Sequence, residues 1–382
     1  MARVLVIGGG IAGTATALAL HKAGFEATVH EAHPDSAEDI GAFLTLASNG
    51  MRALAQVDAS SAVTAIGFPL TSLRLVDHTG GEVAHAPMGE VGDPLLHYRC
   101  LRRGELSSAL QAEAGRRGIA VRHGARLASV EDGPDSVTAH FTDGSSATGD
   151  LLIGADGLNS AVRRSLSPGT EPSYSGQYVF YGYTRAATAP GTDACITMVR
   201  GSRAAFGYSV SPDGETYWFA RVTGDPLSTE ELAQGTPGAW RARLLPLLRE
   251  DSTPAADIVE ATGDDLMVTN ATEIPTGTPW RAGRTLLVGD AAHAASPATG
   301  QGASMALEDA VVLAKSLRDA PDTDAALALY EEIRRPRVEH NTTVSGNISR
   351  GTHTPSGAAR PSDEELARLL EWDTPVFPLR TI

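Results

Sequence analysis

Residues 3–32 read RVLVIGGGIAGTATALALHKAGFEATVHEA, and this stretch decides the fold. RVLVI is a short apolar run of buried-strand type that enters a glycine loop at once. An Ala- and Leu-rich helical run follows to a stop at Gly24, and EATVHEA is a second strand. Strand, crossover helix and strand at this spacing make a parallel β-α-β unit. Gly8, Gly10 and Gly13 fit G-x-G-x-x-G at the strand–helix junction. The first glycine permits the tight turn, the second lets backbone approach a pyrophosphate, and the third lets helix and strand pack closely. Ile11 and Ala12 lie between the glycines and belong to the same candidate site. Glycines also end strands for purely structural reasons. Glu31 weighs against that, because it stands 18 positions after Gly13 at the end of the second strand. A carboxylate there can accept hydrogen bonds from an adenosine ribose. His30 and His33 flank it and read as surface residues, with no third ligand to make a metal site. The fingerprint does not separate NAD from FAD.

Two later segments bear on that choice. DLLIGADGLNSAVRRSL, residues 150–166, is a buried strand ending at Gly154. Asp156 and Gly157 then turn sharply, and Ser160 is placed to cap a helix carrying Arg163. RTLLVGDAAHAASPATGQGASMALEDA, residues 284–310, sets Asp290 after another buried strand, at the carboxyl end of a sheet where ligand hydroxyls commonly sit. Its loop of Pro and small residues runs into a long helix whose start exposes unpaired N–H groups and a positive dipole end.

The three motifs, in this order and spacing, resemble the group A flavoprotein monooxygenases, the family of para-hydroxybenzoate hydroxylase, with the salicylate hydroxylase-like and tetracycline-inactivating subgroups nearest. The resemblance covers about residues 1–345. It implies an α/β protein: a Rossmann-like FAD-binding domain of the GR2 type, an inserted antiparallel-sheet substrate domain and C-terminal helices. By the same resemblance Glu31 holds the adenosine ribose, and Arg103 of RRGEL contacts the flavin's phosphate or ribityl region, with Arg102 an adjacent competitor. Asp156 serves FAD and the incoming nicotinamide, Asp290 binds a ribityl hydroxyl, and Leu127 lies near the adenine. Pro297, Gly300, Gln301, Gly302 and Ala303 line the isoalloxazine ring. Ser304 departs from the family, where many relatives have Asn. The implied reaction consumes NAD(P)H and O2 and transfers one oxygen atom, through a flavin C4a-hydroperoxide, to a small aromatic or polyketide-like molecule. No side chain is assigned a catalytic role, and His293 reads as structural. The chain is expected to act as a monomer or homodimer.

Composition limits the alternatives. The 382 residues carry a formal net charge of −15, which argues against nucleic acid or an anionic membrane as partner. Mean hydropathy is −0.11, no run of about 20 apolar residues occurs, and the N-terminus has no signal-peptide pattern, so the expected compartment is the cytoplasm. Cys100 and Cys195 show no metal or redox spacing and read as buried thiols. Lys22 and Lys315 are the only lysines, both poorly placed for a flavin-dependent halogenase, and no Trp-x-Trp segment occurs. A flavin reductase or dehydrogenase without oxygen insertion, and a non-catalytic FAD-binding protein, remain as rivals.

The chain divides by texture. Residues 1–70, 99–175 and 276–348 are assigned to the FAD-binding domain, 71–98 and 176–275 to the substrate sheet, and 349–382 to a tail and helix with a Ser362…Glu365 capping box. Residues 49–66 and 103–118 read as helices. On the alternating strands of the insert, Tyr181, Tyr183, Arg185, Phe206, Tyr208 and Trp218 are candidates to line the substrate pocket. Half of them must face away, and strand register decides which half.

Overall fold

The computed structural model describes residues 2–36, 41–90, 92–187, 194–352 and 363–376. Arg3–Ile7 and Glu26–His30 pair in parallel, with helix Ile11–Lys22 crossing between them. They sit in a six-stranded sheet whose order is Arg281–Ala282, Thr285–Leu287, Leu151–Gly154, Arg3–Ile7, Glu26–His30, Ala120–Arg122. All neighbours are parallel except the first pair. Their side chains are mostly Val, Leu and Ile and mostly buried, as expected of strands covered on both faces. Helices Ile11–Lys22 and Gly302–Asp319 pack together in the main core over this sheet.

A seven-stranded sheet is built from Leu266–Glu273, Ser173–Thr184, Thr216–Thr223, Ala205–Val210, Cys195–Arg200, Ser72–Asp77 and Glu82–Pro87, in that order. The pairing is antiparallel apart from Cys195–Arg200 against Ser72–Asp77, which run parallel. One face of this sheet packs under helices Pro237–Leu248 and Ala255–Glu260 around Phe180, Phe206 and Trp218. The other meets a small sheet, Phe43–Leu46, Tyr98–Arg102 and Phe68–Leu70, around Phe43, Tyr183 and Tyr217.

Three expectations change. The helix expected over 49–66 is two, Ser48–Gln56 and Ser60–Thr64, broken where Asp58 takes a left-handed φ of 56°. The segment 176–275 is not sheet throughout: residues 229–260 hold three helices, and Trp240 enters the core from one of them. His30 is 3 % exposed rather than a surface residue, stacked on Phe141 at 4.7 Å. Ser362 lies outside the described residues; helix Asp363–Leu370 follows it. Both cysteines are buried free thiols. Among the described residues no helix is long and apolar enough to cross a membrane, and no His, Cys, Asp and Glu cluster could hold a metal ion.

Candidate cofactor and substrate site

The three glycine-bearing turns meet in space. A Cβ on Gly8, whose φ is +106°, would lie 2.4 Å from the Ala155 carbonyl oxygen and 2.9 Å from the Asp156 Cα. A Cβ on Gly13 would strike the Gly8 carbonyl at 1.9 Å, so this glycine lets the helix press on the loop. Gly10 differs: a Cβ there meets nothing within 4 Å. The open space lies at the start of Ile11–Lys22, whose first helical bond is Thr14 N–H to the Gly10 carbonyl at 3.0 Å. The N–H groups of Ile11, Ala12 and Gly13 therefore have no acceptor one turn back, a ready anion cradle. The Ile11 side chain turns into the core, and Ala12 packs toward Gly289 of the later motif, so both can serve a ligand only through backbone.

Glu31 is half-buried beside this loop. Its carboxylate accepts from Gly9 N–H at 2.5 Å and from His33 N–H at 2.6 Å. Helix Arg103–Arg116 faces the same loop: Ser107 Oγ and Gln111 Nε2 both donate to the Gly9 carbonyl, at 3.3 and 2.7 Å. The Gln111 Oε1 is buried with no partner, and Gln111 also borders a cleft of about 350 Å³ with Ser36, Ser108, Gly115 and His123. Sequence reading missed Ser107 and Gln111. The signal was there: with Arg103 they follow at intervals of four and share a helix face. Leu127 opens its strand half-buried against the main core.

Arg103 and Asp290 converge, Nη2 to Oδ2 at 3.8 Å, with both side chains more than a third exposed. Asp290 Oδ1 is also within 4.0 Å of where a Gly302 Cβ would stand. The adjacent Arg102 is engaged elsewhere. Its Nη2 bonds both Glu215 oxygens at 3.2 Å and its guanidinium lies 4.2 Å from the Tyr183 ring centre. The geometry thus leaves Arg103 for the cleft.

Asp156 requires correction. Its carboxylate accepts from Ser160 Oγ at 2.5 Å, Ala161 N–H at 2.7 Å and Val162 N–H at 3.1 Å, capping its own helix. Burial raises its pKa while these bonds act the other way. It shapes the turn against Gly8 and does not reach out as a free ligand. Ser304 needs no compensation for the missing Asn. It is fully buried, its Oγ accepts from Ala47 N–H at 3.1 Å, and it packs beneath Gly50. His293 is structural as expected, its Nε2 lying 2.6 Å from Asp309 Oδ2. Pro297–Thr299 is a short 3-10 turn, and Gly300, with φ of 64°, leads to Gly302 and Ala303 at the helix start.

The profile of the FAD-binding-domain family matches residues 1–345. The chain belongs to the group A FAD-dependent monooxygenases. It is 33% identical over 358 residues to aurachin C monooxygenase/isomerase of Stigmatella aurantiaca, covering 91% of this chain and 88% of that one. It is 33% identical over 344 residues to the FAD-dependent urate hydroxylase of Klebsiella pneumoniae, covering 88% and 86%. Klebsiella pneumoniae HpxO complexed with FAD and uric acid superposes with a TM-score of 0.81 at 27% identity, over 98% of this chain and 93% of that one. A tetracycline destructase shares the fold at TM-score 0.69 and 20% identity, over 97% and 96%. This monooxygenase therefore has the para-hydroxybenzoate hydroxylase fold and takes FAD. Its residues fit that cofactor: the Gly10 cradle is open, Gln111 Oε1 lacks a donor, and Arg103 and Asp290 stand partly exposed together near Gly302.

Register divides the expected substrate residues. Tyr181 pairs with Phe219 and Tyr183 with Tyr217, which puts these four on the inner face with Phe43. Phe206, Tyr208 and Trp218 lie on the opposite face, in the core under the helices, and are corrected to packing residues. Arg185 is likewise corrected. It is exposed and bonded to Asp213 at 2.5 Å. Tyr183 is 5 % exposed and supports Arg102 rather than opening into space. Arg221 was missed. It sits on the inner face one register step from Phe219, its Nη1 3.4 Å from the Ala298 carbonyl of the 297–299 turn. Its Nε is buried without a partner, and among the described residues it has no ion pair. Burial lowers its pKa, and burial pushes the nearby Tyr181 phenol up to about 12 despite Arg221 and Arg103.

Proposed function

We propose that this monooxygenase consumes NAD(P)H and O2 and inserts one oxygen atom into a small aromatic molecule carrying an ionisable oxygen. One observation supports the substrate class above others: Arg221, a half-buried cation whose buried Nε has no partner and which has no carboxylate among the described residues, beside the aromatic side chains of Tyr181 and Phe219 and next to the 297–299 turn. A buried unpaired cation is costly, and an anionic or polarised ligand oxygen offsets that cost. The relatives named for urate and aurachin C are monooxygenases or hydroxylases of small molecules, which fits the reading.

When bound, FAD supplies the redox chemistry that accepts electrons from a reduced nicotinamide and activates O2. The chain's part is binding, orientation and charge. The N–H groups at the start of Ile11–Lys22 would hold the pyrophosphate, Glu31 and Gln111 would address the adenosine end, and Arg103 and Asp290 the ribityl region. The start of Gly302–Asp319 presents N–H donors and a positive dipole to the ring, worth on the order of 1–2 kcal/mol when partly buried. Arg221 holds the substrate's anionic form, and the Tyr181–Phe219–Phe43 wall excludes water. We also propose the division into 71–98 with 176–275 as substrate domain and the cytoplasm as compartment; the strands at 72–77 and 82–87 joining the seven-stranded sheet support the former.

The test is turnover of the FAD-loaded protein with NADH or NADPH against phenolic and heteroaromatic acids under labelled O2. Coupled NAD(P)H consumption with one labelled oxygen in the product is expected. Reduction without label identifies a reductase, and bound flavin that NAD(P)H never reduces identifies a binding protein.

A further inference from the structure

The charges beneath the Gly302–Asp319 helix form one connected set. Arg334 Nη1 lies 2.6 Å from Glu308 Oε2, and its Nε 2.7 Å from Asp309 Oδ1. Arg337 donates to both Glu308 oxygens at 2.7 Å. Asp309 Oδ2 also accepts from Gly289 N–H at 3.0 Å. Arg334, Glu308 and Asp309 are fully buried. Burial would raise both carboxyls, but the facing guanidinium groups at Glu308, and His293 together with Arg334 at Asp309, outweigh it and hold them below their usual range. Glu308 is therefore ionised, and an ionised carboxylate only accepts hydrogen bonds.

That restriction propagates through two amides. Asn49 Nδ2 lies 2.6 Å from Glu308 Oε1, so the Asn49 atom there must be its NH2. The same nitrogen is 3.1 Å from the Gln301 side chain, so the Gln301 atom facing it must be oxygen. An amide that turns its oxygen toward Asn49 turns its own NH2 away. Gln301 is the cap of the helix, its carbonyl accepting from Met305 N–H at 2.9 Å, and the N–H groups of Gly302, Ala303 and Ser304 have no acceptor one turn back.

We propose that the Gln301 NH2, locked outward by Asn49 and Glu308, donates to the electron-rich pyrimidine edge of the bound flavin and favours its reduced, anionic form. The inference rests on the reading that the ring lies at the start of this helix. Glu308 and Asn49 are positioning residues: without them the Gln301 amide is free to flip and offer oxygen to a developing negative charge. A buried ion cluster is a weak source of stability. Setting the orientation of a neutral donor gives this one a purpose.

The experiment compares FAD affinity, midpoint potential and thermal unfolding of the FAD-loaded protein and of Gln301→Leu, Gln301→Lys and Asn49→Ala. Gln301→Leu should still bind FAD but lose about tenfold of the preference for reduced over oxidised flavin, or ~30 mV for a two-electron couple. Asn49→Ala should shift the potential the same way by about threefold, as expected for loss of part of one hydrogen bond. Gln301→Lys donates but cannot accept from Asn49, and should hold the potential at or above that of the unaltered protein. A structural role alone would lower the unfolding temperature of Asn49→Ala and leave its potential in place. An unchanged potential in FAD-bound Gln301→Leu overturns the inference while leaving the cofactor site standing. Failure of the unaltered protein to bind FAD overturns the cofactor site itself.

Discussion

The two faces of the seven-stranded sheet carry similar aromatic side chains to opposite ends. On the helix-covered face Trp218 is fully buried, its Nε1 donates to Thr262 Oγ1 at 2.9 Å, and that hydroxyl donates to the Ile258 carbonyl at 2.8 Å. Phe206 stacks on Trp218 at 5.6 Å. On the inner face Tyr181 and Phe219 stand beside Arg221, whose Nε has no partner. On the packed face the indole N–H of Trp218 is satisfied internally, because water cannot reach it. A face made for a ligand leaves a polar group unpaired for the ligand to satisfy.

The largest effect should come from the packed face. Trp218→Ala should cost about 3–5 kcal/mol in denaturant unfolding, since it empties a core position, and should leave FAD affinity unaltered. Unaltered stability there would erase the contrast. His30 sharpens it from another side, because both its ring nitrogens are buried without partners although it faces Phe141 and no cleft. Burial, with Arg122 nearby, lowers its pKa from 6.5 to about 4. The unfolded chain therefore binds the extra proton between those values, so stability should rise with pH across about pH 4 to 6.5. The difference is on the order of 3 kcal/mol, and His30→Leu should remove it. Unfolding curves of the variant that keep the same slope through this window would refute that assignment. His30 shows that an unpaired atom marks a ligand face only where there is room for the ligand.

Arg221→Met is the reciprocal of the Trp218 change. Activity, as kcat/KM, should fall about a hundredfold, or ~2.7 kcal/mol, while unfolding free energy stays level or rises because a half-buried charge is gone. A variant that loses stability and keeps activity would make Arg221 a packing residue. The smallest effect tests the same contrast in the glycine loop. Gly10→Ala should weaken FAD binding about tenfold, ~1.4 kcal/mol, with little change in stability of the apoprotein, since its Cβ meets nothing within 4 Å. Equilibrium titration with FAD decides it.

Much of the cofactor side was legible because its signals are local. The turn at Gly8, the close approach at Gly13 and the strand-end carboxylates Glu31 and Asp290 each depend on a few consecutive residues. The same locality explains the misreadings. Asp156 has the right address for a ligand, but its own helix start, five residues on, competes for the carboxylate. The helices at 229–260 were overlooked because their apolar residues serve a sheet face contributed by other segments. Ser107 and Gln111 needed only helix periodicity, and could have been found.

By itself the sequence determined the β-α-β unit, the order of the three glycine-bearing turns and, through their spacing, the family and its cofactor. Those features follow from backbone sterics and side-chain alternation acting over short stretches. Only the tertiary structure decided which aromatic residues share the inner face with Phe43, that Arg221 stands among them with no ion pair among the described residues, and which way the Gln301 amide points. A strand offers both of its faces equally until its neighbours set the register. An amide likewise has no preferred direction until a buried charge, brought in from a distant part of the chain, requires one.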